Sequence, residues 1–324
     1  MTGLNIPSLK NHLNERRERL QETIKYVPDP IKLYGLLQQV DSALERIDNG
    51  SYGICDVCKD PIEEDRLLVD PLITVCLDHL NHHQQKALEQ DLEFAIKIQR
   101  NLLPENHRTV NGWEFSYDYS PAGPVSGDFC DFIKLEDGAV LFVLGDVSGK
   151  GIAASLMMSH LHALIRSLLS FNLPVNEIVT RANRLFCEST LSTHYATMVF
   201  GKANQTGDVE ICIAGHNPPL VIKKGEVKSL SATGIPVGLF CQSEFEIINI
   251  NLQKDDSLIL YTDGLTEASF NEIEYGEERL KAQLLKSGSH SAHNIINDLL
   301  DDHKNFLKDS PRFDDVTIAV LKKT

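Results

Sequence analysis

The chain has 324 residues, 42% of them hydrophobic, and a formal net charge of −15. That length allows two or three domains with ample core, and the acidity argues against nucleic-acid or anionic-membrane binding, both of which need a basic surface. The N-terminus MTGLNIPSLKNHLNERRERL has no apolar signal core, no segment approaches the apolar length of a bilayer span, and the seven cysteines, with Cys130, Cys187, Cys212 and Cys241 scattered, predict no disulfide framework and fit a reducing cytoplasm.

Leu9 to Tyr26 is charged and helix-prone. Pro28-Asp29-Pro30 forces a turn, after which Leu33, Leu36, Leu37, Val40, Leu44 and Ile47 recur at three and four until Asn49-Gly50 stops the helix. The pair predicts an antiparallel helical hairpin. Cys55-x-x-Cys58 and Cys76-x-x-His79 then have zinc spacing, and thiolates with an imidazole suit a tetrahedral ion. The acidic loop between them holds few large apolar residues, so the metal would supply the folding energy. A redox dithiol at Cys55 and Cys58 is the alternative, and it leaves the second pair unexplained. In Asn81 to Leu103, Leu88, Leu92, Ala95, Gln99 and Leu102 recur at four and three. This predicts a linker helix ended by Pro104, read either as a coiled-coil dimer seam with Gln99 inside it or as a helix packed on its own domain. His82 and His83 are expected to be solvent-exposed, and Trp113 core.

After Pro104 the pattern turns to strands: Trp113 to Tyr119, Val140 to Leu144, Tyr195 to Lys202, Val209 to Ala214, Leu220 to Lys223, Phe245 to Leu252, Ser257 to Tyr261 and Val316 to Leu321. Helices are expected over Ile152 to Leu169, Leu173 to Ser189, Glu277 to Leu285 and Ala292 to Leu307. Many strands with consecutive helices indicate an α+β fold of antiparallel sheets against helices. The stretch Leu141 to Ala154 organises the rest: a buried strand ends on Gly145-Asp146, and Ser148-Gly149-Lys150-Gly151 turns the chain into a helix. Taken alone, Asp146 reads first as a cap of that helix and second as a metal ligand. The glycine spacing is one short of a P-loop, and Gly151 stands where a Mg²⁺-binding hydroxyl should be. Asp128, Asp146, Asp263 and the pair Asp314-Asp315 all sit at strand ends or in turns. If they converge, a hard divalent ion is the economical explanation, since bare carboxylates would repel one another.

Two resemblances follow. Ala43 to Pro71, ALERIDNGSYGICDVCKDPIEEDRLLVDP, resembles the DksA/TraR-type zinc finger with its preceding hairpin, His79 replacing the usual fourth cysteine. That family docks on RNA polymerase through acidic residues at the hairpin tip, here Tyr26 to Pro30 with one acid. Residues 90–322 resemble the PP2C-like (PPM-type) phosphatases of the RsbU/SpoIIE group, through DLEFAIKIQRNLLP, GPVSGDFCDF, GDVSGKGIAASLMMS, AGHNPPL, GIPVGL, YTDGLTEA and FDDVTIAVL in order. The resemblance implies a two-sheet β-sandwich flanked by helices. It also implies removal of phosphate from phosphoserine or phosphothreonine on a regulatory protein, typically an anti-sigma-factor antagonist. The implied ligands of two Mn²⁺ or Mg²⁺ ions are Asp128, Asp146, the Val147 carbonyl, Asp263 and Asp314, with Asp131 supporting the loop and Lys150 helping to position phosphate. His216 is expected to hold a turn, and Cys130 is not expected to act as a nucleophile.

The expected organisation is a hairpin with zinc finger over 1–80, a linker helix over 81–104 and the phosphatase over 105–324. The expected protein is a cytoplasmic, bacterial, metal-dependent phosphoprotein phosphatase with structural Zn²⁺ on Cys55, Cys58, Cys76 and His79, dimeric through the linker. In its off state the segment Asp263 to Gly276 is expected to be disordered. The rival is a transcription-associated, polymerase-binding or scaffold protein with an inactive phosphatase domain.

Overall fold

The computed structural model describes residues 6–26, 30–190, 194–230, 234–308 and 314–324. Val27, Pro28 and Asp29 of the expected hairpin tip lie outside them, as do the side chains of His82 and His83. The chain divides into two units, Met1–Asp91 and Leu92–Thr324.

In the first unit, α1 (Ile6–Ile24) and α2 (Ile31–Asp48) form the expected hairpin. Leu13 meets Val40, Ala43 and Leu44 in a small core that also takes in Tyr52, Cys55, Ile62, Leu67 and Cys76. A short α3 (Glu64–Val69) and a 3₁₀ turn, Leu77–His79, follow, and α4 (His82–Leu102) leads out of the unit.

The second unit opens with β1 (His107–Val110), β2 (Trp113–Ser120), β3 (Phe129–Lys134) and β4 (Val140–Val147), then α5 (Gly151–Leu168) and α6 (Val175–Ser189). Next come β5 (Ala196–Ala203), β6 (Asp208–Ala214), β7 (Leu220–Lys223), β8 (Glu226–Ser229), β9 (Ile248–Asn251) and β10 (Ser257–Tyr261). The chain closes with α7 (Asp263–Thr266), β11 (Ser269–Phe270), β12 (Ile273–Glu274), α8 (Glu277–Ser287), α9 (Ala292–Leu307) and β13 (Val316–Lys323). One antiparallel sheet has the order β1-β2-β13-β10-β7-β8 and the other β3-β4-β5-β6-β9. Between them lies a core of Trp113, Phe115, Phe132, Phe142, Leu144, Val199, Leu258, Leu260 and Leu321. Outside, α5 and α6 bury Met158, Leu161, Ile165, Ile178 and Phe186 on the five-stranded sheet, and α8 and α9 bury Leu280, Leu284, Ile295 and Leu299 on the other. The central strands alternate a sandwich face with a helix face, both apolar, so β4 and β10 read as near-continuous apolar runs, while the edge strands β1, β8 and β9 carry polar, partly exposed residues.

Several expectations need correction. Cys187 and Cys241 are joined by a disulfide, their Cα atoms 5.5 Å apart. Sequence scatter is no guide here, because Asn183 on α6 accepts from the Gly238 N–H at 2.8 Å and donates to the Phe240 carbonyl at 2.9 Å, which draws the 238–241 loop to the end of α6. The run Gly151–Phe171, 21 residues with mean hydropathy 1.3, is long and apolar enough to cross a bilayer, contrary to expectation. Its Ala154, Met158, Leu161, Ile165 and Leu168 are buried in the helix-covered core, which is the pattern of a central helix in a packed domain. Asp146 does not cap α5: it lies within β4, and the N-cap position is Lys150. Gln99 does not line an exposed seam; it is 4% exposed, and Leu102 one turn on packs against the α5/α6 core. Leu88, Phe94 and Ile98 are the large apolar residues that α4 leaves in solvent. Apart from these corrections, Asp263 to Gly276 forms α7 and the β11–β12 hairpin, with Tyr275 buried; this single structure does not bear on the off state.

Candidate active site

Strand register carries the aspartates to one end of the sandwich. Phe129 pairs with Gly145, so Asp128 at the start of β3 comes beside Asp146 near the end of β4. Tyr261 pairs with Ile318, so Asp263, just past β10, comes beside Asp314, just before β13. Two glycines let these pairs close. A methyl group at Gly127 would sit 2.7 Å from the Val147 carbonyl oxygen and 3.1 Å from Asp146 Oδ1; one at Gly264 would sit 2.0 Å from the Asp315 carbonyl oxygen and 3.2 Å from Asp314 Cβ. Gly149 and Gly151 both have positive φ, a backbone that glycine adopts without strain, and between them the β4–α5 turn carries Lys150.

The carboxylates feel one another. Burial first, then the charges of Asp263, Asp314 and Asp315, push Asp146 up to about 7, partly offset by a hydrogen bond with the Asp128 carboxyl. Asp128 is raised well above the carboxylate range by burial and then by Asp146, against hydrogen bonds from Thr317 and Thr262. Asp263 is raised by burial and Asp314. Carboxylates crowded this way without cations hold protons that a divalent ion would displace, and an oxygen-only donor set suits Mg²⁺ or Mn²⁺. Lys150 Nζ lies 3.0 Å from Asp314 Oδ2.

The residues holding these aspartates were not legible in the sequence. Asp128 Oδ2 accepts from Thr262 Oγ1 at 2.9 Å and Thr317 Oγ1 at 2.6 Å. Asp315 accepts the Ala122 N–H at 2.7 Å on one oxygen and the Gly127 N–H at 3.1 Å on the other, so it fastens the 122–127 loop and leaves Asp314 facing the site. Asp131, expected to support that loop, is turned to α5 instead. It takes both Arg166 Nε, at 2.6 Å, and Arg166 Nη2, at 2.9 Å, with His162 Nε2 at 2.9 Å. Burial raises its pKa, and His162 and Arg166 outweigh that and hold it below the usual range. His216 is buried, with Nδ1 2.8 Å from Thr197 Oγ1, and burial pushes its pKa down to about 4, so it stays neutral at pH 7. Cys130 is fully buried and its thiol is pushed far up by burial and by Asp131, which leaves no thiolate for attack.

A second constellation lies in the first unit. The ligand atoms of Cys55, Cys58, Cys76 and His79 all lie within 4.8 Å of one another, the one such group of metal-binding side chains among the described residues. Cys58 Sγ is 3.7 Å from Cys76 Sγ, and Cys76 Sγ is 3.1 Å from His79 Nδ1. Burial disfavours the Cys55 thiolate, but backbone N–H groups of Cys58, Cys76 and Val57 outweigh it and bring the thiol down to about 6. Glu63 ties the pairs together: it accepts from the Leu77 N–H at 3.1 Å and from Arg66, whose guanidinium also donates to the Val75 carbonyl. Three thiolates and an imidazole beside so small a core fit zinc.

Two helix-covered antiparallel sheets with aspartates gathered at one end define a PP2C-like domain. The SiaA-PP2C domain of Pseudomonas aeruginosa has this fold, with a TM-score of 0.64 at 19% identity, over 74% of this chain and 97% of that one. Residues 136–324, more than half of the chain, match the SpoIIE family (Stage II sporulation protein E), and the chain belongs to that family. Residues 50–78 match the prokaryotic dksA/traR C4-type zinc finger, a match that stops one residue short of His79. Phosphoserine phosphatase RsbU of Bacillus subtilis is 24% identical over 267 residues, 79% of this chain and 78% of RsbU. Protein IcfG of Synechocystis is 28% identical over 262 residues, 71% of this chain, and the chain spans only 41% of IcfG.

Proposed function

We propose that this chain is a Mn²⁺- or Mg²⁺-dependent phosphatase that hydrolyses phosphoserine or phosphothreonine on a regulatory protein, of the anti-sigma-factor-antagonist kind. The observation that carries the reading is the crowding of Asp128, Asp146, Asp263 and Asp314, drawn from four separate segments, at one end of the sandwich. These four, with the Val147 carbonyl, would hold two divalent ions. When bound, such a pair supplies an activated water for in-line attack and neutralises the phosphoryl oxygens. Thr262 and Thr317 fix the outer oxygen of Asp128, which leaves its other oxygen to the ligand. Lys150 can swing from Asp314 to an incoming phosphate without leaving the turn. His216, which burial keeps neutral, holds Nδ1 2.8 Å from Thr197 Oγ1 and so serves the turn and not proton transfer.

In this reading Cys55, Cys58, Cys76 and His79 hold a structural Zn²⁺, and the exposed Leu88, Phe94 and Ile98 give α4 a face for a homodimer. A cytoplasmic location accords with zinc-binding thiolates, and the Cys187–Cys241 bond would there be open to reduction. The test is hydrolysis of a phosphoserine peptide and of p-nitrophenyl phosphate with Mn²⁺, with EDTA, and by Asp146→Asn. Hydrolysis that needs Mn²⁺ and falls at least 100-fold in the variant is expected, on the scale of losing a metal-activated nucleophile. A wild-type protein silent with Mn²⁺ would favour a scaffold.

A further inference from the structure

The seven cysteines differ in their surroundings. Cys55, Cys58 and Cys76 converge with His79, and Cys130 and Cys212 are buried in the sandwich domain. Cys187 and Cys241 are bonded to each other and reach the surface. Cys187 is half-buried near the C-terminal end of α6, and Cys241 is exposed in the loop that follows Gly238. A disulfide open to solvent can be attacked by a small thiol, and in a reducing compartment such bonds are usually transient or redox-sensing. The loop is not held by sulfur alone. Asn183, one helical turn before Cys187, clamps the Gly238 N–H and the Phe240 carbonyl. Gly238 has positive φ and lies so close to α6 that a methyl group there would meet the Phe186 ring at 2.8 Å. From this point backbone hydrogen bonds lead to the β4–α5 turn. Ala196 donates to the Val237 carbonyl at 2.8 Å and accepts the Val237 N–H at 2.7 Å. Its neighbour Tyr195 accepts the Ser148 N–H at 2.9 Å and donates its own N–H to Ser148 Oγ at 3.0 Å. Ser148 follows Val147, whose carbonyl faces the metals in the reading above.

We propose that Cys187 and Cys241 are a thiol–disulfide exchange site, with a low-molecular-weight thiol and its disulfide as co-reactants, and that the state of their bond sets the rigidity of the Ser148 side of the β4–α5 turn. The exchange stands by itself; its effect on turnover rests on the phosphatase reading above. In the opening direction a small thiolate attacks Sγ of the exposed Cys241, the bond to Cys187 breaks, and Cys187 leaves as a thiolate that takes up a proton. A second small thiolate attacks the other sulfur of the mixed disulfide, so that the small disulfide departs and the Cys241 thiolate is protonated in turn. Two small thiols are thus oxidised to one disulfide, and their two electrons and two protons end on the two cysteines. Closure is the same sequence reversed. Asn183 keeps the loop on α6 after the bond opens, so the two sulfur atoms stay near enough to rejoin. What opening changes is motion. The loop then hangs on two hydrogen bonds in place of a covalent link, and the Val237–Ala196 and Tyr195–Ser148 pairs beyond it open more often.

The experiment equilibrates the whole, zinc-loaded chain in glutathione buffers that run from reduced to oxidised. Alkylation and peptide mass read Cys187 and Cys241, hydrogen exchange reads the peptides that cover Ser148, Tyr195, Ala196 and Val237, and p-nitrophenyl phosphate hydrolysis is followed with saturating Mn²⁺. Excess reduced glutathione is expected to open the bond in the folded protein and excess oxidised glutathione to close it, with the mixed disulfide trapped on Cys241. Opening is expected to speed exchange in those peptides and to lower turnover, each at least about fivefold, the low end of coupling between two sites. Cys241→Ser is expected to behave like the reduced protein in both buffers, which separates this bond from the zinc thiols. Asn183→Ala is expected to re-form the bond more slowly, because the sulfur atoms then meet less often. A bond that resists reduced glutathione until the domain unfolds is structural only, and the proposal is overturned. It is overturned as well if the bond opens and exchange in the four peptides does not change, or if exchange quickens and turnover does not. If Cys241→Ser does not fold, wild type in the two buffers, with its zinc content measured, decides. No hydrolysis in either buffer, with the exchange difference present, brings down the phosphatase reading and leaves the exchange site standing.

Discussion

Asp146 carries the charge problem of the whole site. In the unfolded chain it titrates near 4, and in the folded, metal-free site at about 7. Between those values the folded state holds the extra proton, so folding stability falls as pH rises from about 4 to about 7 and stays down above that. In EDTA at pH 8, Asp146→Asn is therefore expected to be more stable than wild type, by something on the order of 2–4 kcal/mol if the full shift is expressed. The gap narrows toward pH 5, and saturating Mn²⁺ reverses the order. Thermal unfolding at the two pH values, with and without the ion, checks this; a metal-free variant less stable than wild type at pH 8 would contradict the crowding. The aspartates themselves were legible as acids at strand ends. Their supports were not, since Thr262, Thr317 and Asp315 meet Asp128 and the 122–127 loop only through pairing across roughly the length of the domain. Which of Asp314 and Asp315 faces the site is likewise decided by two backbone N–H groups far away in sequence.

At the scale of the element, α5 is the piece that must be held, because it follows directly from the β4 turn. Its apolar face packs on the sheet, and Asp131 on β3 fixes its rotation through Arg166 and His162. The half-exposed arginine contributes little by itself, but Asp131 and His162 are buried. Asp131→Ala is expected to destabilise the domain by about 3–5 kcal/mol, since it strands a buried histidine and half a guanidinium, and urea unfolding reads this; a loss under about 1 kcal/mol would show that solvent screens the pair. The long elements were readable because their apolar periods are long: α5, α6, α9, β10 and β13 lie within about two residues of where periodicity puts them. Phe129 to Lys134 was read as a motif and is a strand, its alternation hidden by a buried Asp131 facing the helix layer. Strands β8, β11 and β12 escaped because four exposed or two paired residues carry no period. Taken alone, the stretch around Asp146 favours a cap, because glycine and acid at a strand–helix turn have the same local signature in either role, and only the wider set of acids points to a metal ligand.

At the scale of the molecule, the two units have different sources of order. The first has a core so small that two of its members are Cys55 and Cys76, both metal-site thiols. Cys58→Ser is expected to lose the bound zinc and the protease resistance of residues 6–91, while the unfolding transition of residues 92–324 stays in place; zinc content and limited proteolysis read the two parts separately. Retained protease resistance without zinc would mean that the hairpin stands alone. The second unit is held by long-range strand pairing, and β13 is its keystone. This strand lies between β2 and β10, joining Val316 to Ser120 and Tyr261 to Ile318. It also brings Asp314 to the site, Asp315 to the 122–127 loop and Thr317 to Asp128. In chain order β2 comes near the start of this unit and β10 near its end, and both lack their shared neighbour until β13 follows. The five-stranded sheet with α5 and α6 can form first, since its strands β3 to β6 follow one another in the chain. Each nascent chain would therefore pass through a stage with half a sandwich and with Asp314 and Thr317 not yet brought to Asp128 and Asp263, until β13 is in place.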